Sequence, residues 1–220
     1  MAKTVKLKMQ LITKMVAYFL LVVLVAAAGF VYTIGKINDA AEATAEANKE
    51  LPRLIKANRV GNNAGDELAN IQSYFITKDQ QMLANYRQAG AENSKIEEEL
   101  INASVKAEGK RLITEVKTLD DNYSKIVEEK IIPLVQAGKQ EEALPVMTGE
   151  LRPAVTDLNN KVDEYQARRN EIITDNLNRA VDNAGQARRA AVIAAVSAAV
   201  LGVIIGFLAA RSISRPVTQL

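Results

Sequence analysis

The 220-residue chain contains no cysteine, no histidine and no tryptophan, and aromatic residues make up only 5% of it. Without cysteine there is no disulfide and no thiolate nucleophile, and without histidine as well the usual zinc and haem ligand sets cannot be assembled. Imidazole general-base catalysis is excluded on the same ground. Carboxylates remain, but the densest run, Glu97, Glu98 and Glu99, sends consecutive side chains in different directions around a helix and reads as a solvated face. No glycine-rich phosphate loop follows a strand. The chain thus reads as a non-enzyme with no metal site and no cofactor.

Acidic residues are absent from both ends. All 26 lie between two long uncharged apolar runs, Met15 to Ile34 and Ala190 to Ala210. At about 1.5 Å rise per residue each run makes a helix of about 30 Å, the thickness of a bilayer's hydrocarbon core. Lys3, Lys6, Lys8 and Lys14 precede the first run, and Arg211 and Arg215 follow the second. Both flanks therefore read as cytoplasmic. These six take their share of the 28 basic residues, leaving 22 against 26 acidic ones and a formal charge of −4 between the runs. The first run is longer than a signal-peptide core, and Tyr32, Thr33 and Ile34 stand where a cleavage site would need small residues, so it reads as an uncleaved anchor. The net charge of +2 comes from membrane flanks, which gives membrane lipid as a partner and no nucleic acid.

Between the runs, apolar residues recur at alternating spacings of three and four, the pattern of helices packed at coiled-coil-like angles. One series is Met82, Tyr86, Ala89, Asn93, Ile96, Leu100, Ala103 and Ala107; another is Leu112, Val116, Leu119, Tyr123 and Ile126. A third runs Leu144, Met147, Leu151, Val155, Leu158, Val162, Tyr165 and Ile172, with Arg169 at the missing position, and the stretch from Ile37 to Phe75 extends the first run. The expected fold is all-α: an antiparallel up-down four-helix bundle whose first and fourth helices continue into two transmembrane helices. Thr77 with Gln80 fits a capping box starting helix two, Gly138 fits a left-handed cap closing helix three, and Gly109 is the candidate break between helices two and three. Pro52, Pro133, Pro145 and Pro153 fall inside helices, where each removes a backbone hydrogen bond and bends the chain. Gly149 and Pro153 alternatively end a short helix and begin the main fourth one. The division is residues 1–14 cytoplasmic, 15–34 first span, 35–189 extracytoplasmic bundle, 190–210 second span and 211–220 a cytoplasmic linker. Gly202 and Gly206, four apart in the second span, offer a small face for helix contact in lipid.

The second run ends in Ala210-Arg211-Ser212-Ile213-Ser214-Arg215-Pro216-Val217-Thr218-Gln219-Leu220, which looks like the opening of a HAMP linker. With Leu51-Pro52, Tyr74-Phe75-Ile76-Thr77-Lys78-Asp79, Leu144 and Leu151-Arg152-Pro153, the chain resembles the N-terminal part of methyl-accepting chemotaxis proteins. The resemblance implies a homodimeric bacterial transducer of the inner membrane, in which an extracellular small molecule shifts helix four relative to helix one. It implies further that HAMP relays the shift to a coiled coil controlling a cytoplasmic histidine kinase and its adaptor. The same sensor and linker also precede histidine kinase and cyclic-di-nucleotide enzyme modules, and a membrane-anchored bundle without a ligand is the structural alternative.

In aspartate- and serine-type members of that family, arginines in the distal third of helix one grip a ligand carboxylate. Asp66, Ile71 and Phe75 stand there in this chain, which speaks against an amino-acid ligand. The candidate ligand-binding residues are Arg59 and Arg152 as carboxylate grips, Asn62 and Asn63 as amide donors and acceptors, and Thr156 beside Arg152. The segment from Arg59 to Asp66, with Gly61 and Gly65 four apart, reads either as part of a pocket or as a hinge or close-packing stretch.

Overall fold

The computed structural model describes the backbone of residues 2–217 and the side chains of residues 13–210. Six α-helices follow one another: α1 Ala2–Thr77, α2 Gln80–Ala103, α3 Ala107–Ile126, α4 Ile132–Gln136, α5 Gln140–Val146 and α6 Arg152–Val217. A π-helical turn at Val127–Ile131 joins α3 to α4, and another at Met147–Leu151 joins α5 to α6. The ladder thus runs through both junctions, making four long helices, and no strand occurs among the described residues. The chain forms two compact units, one of Glu46–Asp175 and one of the segments up to Ala45 and from Asn176.

Both π turns have a proline as their cause. Each ends one residue before the helix that carries Pro133 or Pro153, and each closes with an i to i−5 bond, from Ile132 N–H to Val127 C=O and from Arg152 N–H to Met147 C=O. A proline has no N–H, and its ring presses on the carbonyl four residues earlier. Widening the preceding turn by one residue relieves that pressure without breaking the rod. Gly149 and Pro153 therefore do not separate two helices; they sit in and just after a widened turn.

The three reversals use local chemistry. Gly138, at φ 77°, closes α4 in a Schellman motif, in which its N–H bonds Val135 C=O at 3.1 Å and Lys139 N–H bonds Leu134 C=O at 2.8 Å. Lys78 takes the left-handed conformation at φ 57° after α1. The N-cap of α2 is Asp79, whose carboxylate accepts the Gln81 N–H at 2.8 Å. This corrects the capping box at Thr77, whose hydroxyl donates to Ser73 C=O and accepts the Asp79 N–H instead. The break between α2 and α3 falls at Ser104 to Lys106, and Gly109 lies within α3, buried. Its missing side chain serves packing, because a Cβ there would sit 1.9 Å from Arg169 Nη2.

Residues Glu46–Asp175 pack around two apolar clusters. One, beside the α1–α2 and α4–α5 reversals, contains Ile71, Tyr74, Leu83, Tyr86, Tyr123, Ile131, Val135 and Leu151; Tyr86 and Tyr123 meet edge to face at 6.4 Å. The other, beside the α2–α3 reversal, contains Val60, Leu100, Ile113, Val116, Leu158, Val162 and Tyr165. Fully burying each such side chain stabilises by about 1.5–3 kcal/mol. Below the second cluster Arg169, 3% exposed, fills the gap in the apolar series of α6: it donates to Glu50 at 2.8 Å and lies 4.6 Å over the Tyr165 ring. Glu50 also accepts from Arg53, which reaches the Ala103 carbonyl at 2.6 Å, so α1, α2 and α6 are tied at one point.

The first apolar run stands in α1 and the second in α6, and each helix is long and apolar enough to cross a membrane. Apolar side chains along them, including Phe19, Leu24, Val203 and Phe207, are exposed, as an apolar solvent requires. In this unit α1 and α6 come close at Gly29, where a Cβ would lie 2.4 Å from Ala194 Cβ. Gly202 and Gly206 meet nothing within 4 Å, so they take no part in pairing the runs within one chain. The HAMP-like residues Arg211 to Leu220 lie outside those whose side chains are described.

Candidate functional site

A seam runs along the bundle where α1 faces the α5–α6 rod. On α1 it follows Asn58, Gly61, Leu68, Gln72 and Phe75, and on the other rod Arg152, Val155, Asn159, Val162 and Gln166. These steps of three, four and seven keep one stripe on each helix directed to the seam. Two hollows open along it.

The first, about 550 Å³, is floored by Leu68, Phe75, Leu144, Met147, Leu151 and Val155, with Gln72, Thr148, Arg152 and Thr156 supplying polar groups. The second π turn builds one wall, since Met147, Thr148 and Leu151 all belong to it. Arg152 is exposed and forms no ion pair among the described residues, whereas neighbouring bundle arginines do: Arg87 with Glu128, Arg111 with Glu115 and Arg168 with Glu108. Thr156 Oγ1 donates to the Arg152 carbonyl at 2.9 Å, which leaves its lone pairs to the cavity. An unpaired guanidinium at the edge of an apolar hollow suits an organic anion with an apolar body.

The second hollow, about 630 Å³, is polar: Asn58, Asn62, Asn159, Asp163 and Gln166 line it together with Gly61 and Val162. A Cβ on Gly61 would lie 3.3 Å from Val162 Cγ1, so this glycine sets the closeness of α1 to α6, while Gly65 faces open space. The helix passes through both without interruption, and the segment is a packing stretch, not a break.

The five candidate residues therefore divide. Arg152 and Thr156 share the apolar hollow, and Asn62 lines the polar one. Arg59 turns to α2, where it pairs with Glu92. Asn63 turns inward, and its buried Nδ2 has no hydrogen-bond partner. Sequence reasoning missed Gln72, Thr148, Asn159 and Gln166; their one signal is a polar side chain recurring on the stripe that joins apolar seam residues.

A further set of polar residues occupies the interior between the two apolar clusters. Glu67 of α1, Asn93 and Glu97 of α2, and Asp120 of α3 are 0–1% exposed. Glu97 thereby departs from the solvated face expected of it, which Glu98 and Glu99 do form, Glu99 pairing with Lys56 at 2.8 Å.

Among known proteins, the family model of a four helix bundle sensory module for signal transduction matches residues 4–176. No curated protein and no solved structure matches the chain. The matched span holds both apolar clusters, the seam and the first apolar run. The chain thus belongs to the four-helix-bundle sensory modules of methyl-accepting chemotaxis proteins, a signalling module and not a catalytic domain.

Proposed function

We propose that this chain is the sensor region of a transmembrane chemoreceptor that takes a small organic anion into the α1–α6 seam. The observation that carries the reading is the apolar hollow of about 550 Å³ with an unpaired Arg152 at its edge. The seam joins the two helices that also bear the apolar runs. A ligand that binds one spacing of α1 and α6 better than another biases the two by its difference in affinity.

In this reading residues 15–34 and 190–210 span the membrane, 35–189 face outward and both termini are cytoplasmic. The displacement of α6 passes into a HAMP linker beginning at Arg211, and from there to a coiled coil that governs a cytoplasmic histidine kinase and its adaptor. A second copy covers the outward stripe of α1, where Leu51 and Ile55 are exposed, so that the working unit is a homodimer.

The test is calorimetric titration of the full chain in lipid nanodiscs with a panel of small carboxylates, sulfonates and phosphates. Binding that Arg152→Ala weakens about tenfold or more, the cost of one charge-assisted contact, supports the reading. An unchanged affinity in Arg152→Ala refutes it. Binding by no member of the panel favours the ligand-free anchored bundle.

A further inference from the structure

The buried layer of Glu67, Asn93, Glu97 and Asp120 is unlike the rest of the bundle in its hydrogen bonding. Glu67 Oε2, Asn93 Oδ1, both oxygens of Glu97 and Asp120 Oδ1 are buried without a partner, and all five are acceptors. The one strong bond inside the layer is from Asn93 Nδ2 to Glu67 Oε1 at 2.8 Å. The Tyr123 hydroxyl, three residues along α3 from Asp120 and 0% exposed, is likewise unpartnered. A buried acceptor without a donor is destabilising, and a buried bare charge more so. What this interior wants is hydrogen ions: a protonated carboxyl loses its charge and becomes the donor that Asn93 Oδ1 and its neighbours are missing.

Among the described residues Lys117 is the cation that acts on Glu97 and Asp120, and Asp121 draws its ammonium away at 3.1 Å; the buried Asn63 Nδ2, one turn from Glu67 on α1, is a neutral donor and neutralises no charge. The other groups that act on or respond to the three acids are Asp121 and Tyr123 on α3 and Tyr86 on α2. Among the described residues no three acidic side chains are placed to hold a metal ion.

We propose that Glu67, Glu97 and Asp120 are a buried proton-binding site, by which the packing of α1, α2 and α3 reads the pH outside the cell as an input separate from the seam. Desolvation first, and then the charge of Asp120, raises the Glu67 carboxyl to about 8, with the Asn93 bond opposing, and the Glu97 carboxyl to about 9, with Lys117 opposing. Desolvation and Asp121 raise Asp120 to about 6. All three are higher in the folded protein than in the unfolded chain. The stability they confer is therefore full below the ordinary carboxylate range and is lost as pH rises through about 6, 8 and 9.

The experiment is thermal unfolding of the full chain in nanodiscs between pH 5 and pH 9.5, with the infrared carbonyl band of protonated carboxyls followed in the same samples. The expected result is a melting temperature that falls by several degrees towards alkaline pH and a protonated-carboxyl band that persists at pH 7. Glu97→Gln and Glu67→Gln each flatten the alkaline fall, and Glu97→Gln removes part of the band. If Glu97→Gln does not fold, the wild-type band decides alone. No such band at pH 7, an unchanged alkaline fall in both variants, or rescue at pH 9 by calcium or magnesium but not by lowering the pH would each overturn the proposal.

Discussion

Glycine and lysine hold two positions of this bundle by opposite logic. Gly109 is inside a helix, where glycine costs about 1 kcal/mol relative to alanine, and it remains there because the Arg169 guanidinium fills the space of its side chain. Gly109→Ala should destabilise the protein by about 2–4 kcal/mol, since a methyl group must overpack the site and push Arg169 from Glu50; chemical unfolding measures it. Lys78 is the reverse case, an L-residue at φ 57° in a position that favours glycine. Lys78→Gly should stabilise by about 1 kcal/mol, read as a rise in the unfolding midpoint. Together they show that glycine and the left-handed conformation do not mark each other in a sequence. Gly109 was expected to break the chain, because its use in close approach leaves the same letter as its use in a turn.

Helices announce themselves through phase, and phase is also what hides their exceptions. The apolar series on α2, α3 and α6 placed four long helices correctly because each buried stripe repeats every three or four residues, as Leu112 with Val116 and Tyr123 with Ile126 do on α3. Glu97 escaped because three successive glutamates carry no phase, so nothing marked the middle of the bundle as its destination. Arg169 was visible as a gap in an apolar series, but its partner Glu50 lies 119 residues away and no local pattern connects them. The shared face of Arg152 and Thr156 was legible from their spacing of four. The face of Arg59 was not, because spacing does not say whether a stripe meets α2 or α6. The π turns were legible only as prolines. Their consequence is functional, since the turn before Pro153 lines the apolar hollow. Pro153→Ala restores an N–H and removes the reason for the widened turn. Its expected effect is to rotate Met147 and Thr148 against α1, weakening ligand binding about tenfold while the melting temperature stays nearly constant, as parallel titration and melting would show.

Taken whole, the molecule divides its chemistry between a seam and an interior. The seam lies between the helices that carry the apolar runs, and its free cation and hollow are surface features, open to ligand. The interior layer of acids is closed to solvent and answers to protons. The two inputs share α1 but use different faces of the bundle: the seam concerns α1, α5 and α6, and the layer α1, α2 and α3. Ligand binding should accordingly survive Glu97→Gln, and the pH profile should survive Arg152→Ala. The sensory role itself stands or falls on the seam, and paired titrations of wild-type and Arg152→Ala chain with small organic anions test it most directly. Saturable binding to the wild type that Arg152→Ala weakens about tenfold or more is the expected result; equal affinity in the two proteins would contradict it.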